Sequence, residues 1–178
     1  MVTLRGLAVP AILVALLLGT VRAEEAKSPA VFDPAADAAA AIDAALARAR
    51  KGNQRVLVLF GSDEDRESLS LADFLEKDAG VRRTILYEYR LVRVAAAKEE
   101  LAVKCGADLE KDGIPHLAVL DGAGKVLANM PAPDRKKVAE FLGRWKAAPL
   151  DARAVLKEAL AEAGRSKRKV LVHFGAPW

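Results

Sequence analysis

Cysteine is almost missing from this 178-residue chain: Cys105 stands alone, so no internal disulfide can form. That leaves it as a buried small hydrophobe, an intermolecular partner or a free thiol. Histidine is nearly as scarce. His116 and His173 each fall in or beside an apolar run, with no Cys, Asp or Glu at ligand spacing, and read as packed or strand-end residues rather than a zinc pair. No metal and no cofactor is expected. Basic residues are not gathered on one face either: 28 Lys and Arg are interleaved with 24 Asp and Glu, which excludes the footprint of a nucleic-acid binder. Long apolar runs are also absent. The one candidate, Leu7 to Leu18, is about a dozen residues and contains Pro10, too short for a helix crossing a bilayer core of about 30 Å.

That same run has a different meaning. Arg5 before it and Val21-Arg22-Ala23 after it make the charged, apolar and small-residue parts of a secretory signal, with cleavage after Ala23. Residues 1–23 are therefore expected to be a signal peptide and 24–32 a linker, and the product to be secreted or periplasmic with no stable membrane span. Removing Arg5 and Arg22 leaves 26 basic against 24 acidic residues, lowering the formal charge from +4 to +2. The 52% of hydrophobic residues suffices for one buried core.

Beyond the linker the pattern alternates. Asp33-Pro34 offers an N-cap and a first-turn proline for a helix over Ala35 to Arg50, with Ile42, Ala45, Leu46 and Ala49 as its buried stripe. Val56 to Phe60 is an unbroken apolar run of strand length, as expected of a strand covered on both faces. A second helix is expected over about Glu64 to Asp78, with Leu71, Phe74 and Leu75 inward. Its acidic first turn, Asp63-Glu64-Asp65-Arg66-Glu67, suits the positive end of the helix dipole and reads as capping rather than a cation site. A further helical stretch over Val81 to Leu86 precedes a strand over Tyr89 to Val94, and Lys98 to Cys105 forms a short helix ended by Gly106. A strand introduced by Gly113-Ile114-Pro115 runs to Asp121, and the turn to Lys125 makes a hairpin with Val126 to Asn129. Asp134 to Ala148 closes the unit, with Val138, Phe141, Leu142 and Trp145 facing inward. Helical crossovers early and a tight turn late imply a mixed sheet.

The chain also repeats itself. A shift of 114 positions lays Ile42, Leu46 and Val56 to Gly61 over Leu156, Leu160 and Val170 to Gly175. Each copy has a helix, a basic turn and an apolar strand ending in Phe-Gly. The second copy, residues 149–178, reaches only its first helix and first strand, too little to bury a core alone.

Over residues 33–148 the chain resembles the thioredoxin-like family. The residues that carry the resemblance are the apolar strand ending in Phe60-Gly61, the Gly113-Ile114-Pro115 turn, the hairpin and the last helix, with Phe174-Gly175-Ala176-Pro177-Trp178 in the second copy. It implies an α/β fold whose central mixed sheet of about four strands is flanked by helices. It implies that Pro115 is cis and, with Ile114, lines a groove for an extended substrate peptide. It implies that Cys-x-x-Cys would begin directly after Trp178; a selenocysteine version is an expectation raised only by the position at which the sequence stops. In the first copy those two positions are Asp65 and Ser68. The family's chemistry needs a thiolate at a helix N-terminus and a second thiol one turn on; a carboxylate and a hydroxyl can do neither step. The expected function is that of a redox-silent module binding extended peptides or exported proteins, with a truncated thiol–disulfide oxidoreductase as the alternative. Cys105, as a free thiol, supports only a weaker monothiol reading.

Overall fold

The computed structural model describes residues 30–173. The expected signal peptide and most of the linker lie outside the described residues, as do Phe174, Gly175, Ala176, Pro177 and Trp178. Among the described residues eleven elements follow one another: α1 (Ala38–Gly52), β1 (Arg55–Gly61), α2 (Arg66–Lys77), α3 (Ala79–Glu88), β2 (Tyr89–Ala95), α4 (Glu99–Lys104), α5 (Leu109–Asp112), β3 (His116–Leu120), β4 (Val126–Pro131), α6 (Arg135–Trp145) and α7 (Ala152–Ser166).

The four strands form one sheet in the order β2-β1-β3-β4. β1 runs parallel to β2 and antiparallel to β3, and β3 is antiparallel to β4, so the sheet is mixed as the connections require. Alternation along β1 divides the core. Leu57 and Leu59 point to one face, where Leu71, Leu75, Val138 and Leu142 from α2 and α6 cover them. Val56, Val58 and Phe60 point to the other, beneath Ile42, Ala45 and Ala49 of α1 and Ala102 of α4. Both faces are covered, and this is why β1 reads as a continuous apolar run rather than an alternating one.

Several boundaries differ from the sequence reading. Asp33 closes a local turn on Ala35 N, while the cap of α1 is Asp37, whose carboxylate accepts from Ala40 N at 3.0 Å. Two Asp residues four apart precede the same alanine run, and propensity alone does not choose between them. α2 starts later than expected because Asp65 caps it, and Asp78 caps α3 by accepting from Gly80 N and Val81 N. The short α5 fills the interval before Gly113 and had no apolar period to announce it. Residues 168–173, expected to hold the second copy's strand, join no strand among the described residues.

Candidate functional site

The site is assembled where β1 ends and α2 begins. Gly61 closes β1 with no side chain, and a Cβ there would lie 2.6 Å from the Phe32 ring and 2.8 Å from Ser68 Cβ. The absence of that carbon lets Phe32 and the first turn of α2 close over the strand end. Asp63 fastens the incoming chain, accepting from Val31 N at 3.1 Å and Phe32 N at 2.9 Å.

Asp65 and Ser68 meet at the start of α2. The Asp65 carboxylate accepts from Ser68 N at 2.7 Å and from the Ser68 hydroxyl at 2.5 Å. One residue thus satisfies an orphan amide of the helix and the only polar atom on a fully buried side chain. These two positions are closed on each other. Asp63 and Asp65 of the acidic turn are taken up by these contacts, and no cluster of three or more His, Cys, Asp or Glu able to hold a metal exists among the described residues.

Pro115 is buried, the Ile114–Pro115 bond is cis, and the pairing of Phe60 with His116 sets Pro115 beside the end of β1. Glu67 and Leu71 of α2, Ile114 and Pro115, and the segment from Ala132 to Lys136 line a cleft of about 460 Å³. Its apolar lining is Leu71, Ile114, Pro115, Ala132 and Pro133, and its charged lining combines Arg135 and Lys136 with Glu67 and Asp134. Arg135 is steadied there over the Phe74 ring, 5.7 Å from its centroid, and by its guanidinium donating to the Ser70 hydroxyl. Asp65 and Ser68 do not line this cleft; Glu67, between them, does.

His116 lies fully buried on the far side of β3, with Nε2 3.1 Å from Asn129 Oδ1. His173 is exposed at the other end of the chain, so the structure does not bring the two histidines into one site. Cys105 caps α4 at its C-terminus and is packed among the side chains on the α1 face of the sheet, across the sheet from α2. Burial pushes its thiol up to about 11, away from the reactive range.

The sequence reading missed Phe32, assigned to the linker, and the contributions of Glu67, Arg135 and Lys136 to the cleft. A lone aromatic in an Ala, Glu, Lys, Ser and Pro stretch was the available signal for Phe32. For the cleft residues none existed, because they come together only through the fold.

No protein-family model matches the chain. No curated protein matches it either. Among solved structures, one described as a disulphide isomerase from Xylella fastidiosa Temecula1 aligns with a TM-score of 0.58 at 21% identity, covering 66% of this chain and 97% of that one. A thioredoxin from Thermus thermophilus aligns with a TM-score of 0.46 at 21% identity, over 57% of this chain and 80% of that one. At such identity a likeness speaks to architecture alone, and what the first of these establishes for this chain, together with its helix-flanked four-stranded mixed sheet, is a thioredoxin-like fold.

Proposed function

We propose that this chain is an exported thioredoxin-fold protein that is redox-silent and serves as a peptide-binding or scaffolding module. The observation that carries this reading is the Asp65–Ser68 pair. At the helix start where a thiolate would be stabilised, a carboxylate caps the helix and a buried hydroxyl donates to it. Exchange with a disulfide needs a sulfur nucleophile and a resolving thiol, and Cys105 is buried on the wrong face with its thiol pushed toward the neutral form. The neighbouring cleft, with Leu71, Ile114 and Pro115 beside Arg135 and Lys136, has the shape and mixed polarity suited to an extended peptide.

Two measurements test the proposal. In insulin reduction driven by dithiothreitol, the protein gives the same rate as buffer. In amide NMR spectra, extended peptides at roughly 1 mM shift Leu71, Ile114 and Arg135 and leave the α1 face unmoved. Turnover that disappears in Cys105→Ser would replace this reading by a monothiol one. A second reading is favoured by α7, which repeats α1: an oxidoreductase whose Cys-x-x-Cys or selenocysteine motif belongs to the second copy. Intact mass of the protein purified from its natural source separates the two.

A further inference from the structure

A second groove, of about 670 Å³, opens between α4, α5 and the turn that precedes β3. Ala102, Ala107, Leu109 and Ile114 give it an apolar lining, and Glu99, Asp108 and Glu110 give it acidic walls. No lysine or arginine lines it, and none of the three acids makes an ion pair among the described residues. The rest of the chain holds a segment of opposite character. After α7 come Lys167-Arg168-Lys169 and then Val170-Leu171-Val172. Those three cations make no ion pair among the described residues, Leu171 is 93% exposed, and the segment joins no strand.

We propose that this groove receives residues 167–172 of a second copy of the chain. Three adjacent cations meet three acids, and three apolar residues meet an apolar lining, so both halves of the segment find their complement in one place. Lys167 ends α7 in the left-handed conformation, and the five residues after it span about 17 Å when extended. α7 buries none of its residues, so little holds the segment to its own domain. Each copy donates one segment and receives one, which closes a two-fold dimer.

Sedimentation equilibrium of the full chain over about 1 to 200 µM tests this. A monomer–dimer equilibrium is expected, weakened about tenfold or more by Glu99→Lys with Glu110→Lys, by Leu171→Asp, and by raising the salt. Asp108 is left intact because its carboxylate caps α5 through Lys111 N at 3.1 Å. A labelled peptide of residues 165–173 supplies a second probe. It binds the wild-type protein and loses about tenfold in affinity for the Glu99→Lys, Glu110→Lys protein, whose circular dichroism and thermal midpoint match wild type. A mass that stays monomeric at every concentration overturns the proposal. So does peptide binding indifferent to the two substitutions, or protection of residues 167–172 that is independent of concentration and therefore internal to one chain.

Discussion

Asp65 and Ser68 are separated by one helical turn, and the contact between them shows that side chains at these positions can touch. Substituting both, Asp65→Cys with Ser68→Cys, is expected to give a pair that oxidises to an internal disulfide, read by loss of two free thiols on air oxidation. The reduced protein should then reduce insulin at roughly ten times the buffer rate or more, since the helix N-terminus favours a thiolate. Asp65→Ala removes the cap and leaves the buried Ser68 hydroxyl without its acceptor, and should cost about 2 to 4 kcal/mol, read from urea denaturation. No disulfide in the double variant would mean that the two positions do not present sulfurs to each other. Cys105 carries a different expectation. Its thiol rises from an ordinary 9.0 to about 11 through burial. Below pH 9 the thiol is neutral in both folded and unfolded chains, and its contribution to stability is fully present. Between about 9 and 11 the unfolded chain gives up that proton while the folded one keeps it, so stability falls as pH rises. Tyr89, raised by its burial, acts in the same direction. Cys105→Ala should therefore lose stability less steeply over this range than wild type, measured by urea midpoints at successive pH; parallel curves would remove the thiol from the account.

At the scale of the element, legibility followed the kind of signal available. β1 was legible because five successive apolar residues, Val56 to Phe60, can be covered only from both faces. The inner faces of α1 and α6 were legible from helical spacing, and Ile42, Ala49, Val138 and Leu142 are all buried. The start of α1 was not, because Asp33 and Asp37 are equally good caps and only the local turn at Asp33 decides. Asp65 and Ser68 were found through the repeat, but nothing in one dimension shows that the carboxylate takes up the hydroxyl. The tie between β2 and α6 was invisible for the same reason. Tyr89, first residue of β2, donates its phenol to the Leu142 carbonyl of α6 at 2.6 Å in a buried setting. It joins elements more than fifty residues apart and satisfies a helical carbonyl near the C-terminus of α6. Tyr89→Phe keeps the ring's apolar contacts and removes this one bond, so a loss of about 1 kcal/mol in urea denaturation is expected. A loss near zero would show that water satisfies both groups as well as they satisfy each other.

At the scale of the molecule, the two copies of one pattern meet opposite fates. Ile42, Ala45, Ala49, Val56 and Val58 in the first copy are buried, each under the sheet or within it. Their counterparts across the 114-residue shift are not: Leu156 and Val172 are exposed, and no residue of α7 is buried. Equal sequence pattern therefore does not give equal burial among the described residues: Val56 and Val58 lie in a strand paired on both sides, whereas residues 168–172 join no strand. The hydrophobic term that holds the first copy together scales with area removed from water, and α7 removes almost none. The last long-range tether before α7 is the Asn53 amide, which donates to the Ala148 carbonyl at 2.8 Å. A chain ending after Ala148 keeps that bond, the whole sheet and both core clusters. Its unfolding free energy should lie within about 0.5 kcal/mol of the full-length value, with a single transition in both. If removal of residues 149–178 instead lowers stability by several kcal/mol, α7 is docked on the first copy, and the groove between α4 and α5 becomes the first place to seek the contact. At protein concentrations high enough to populate the proposed dimer the two chains should diverge, because only the longer one carries residues 167–172. Comparing midpoints at about 1 µM and 200 µM thus separates a segment that stabilises its own domain from one that stabilises a second copy.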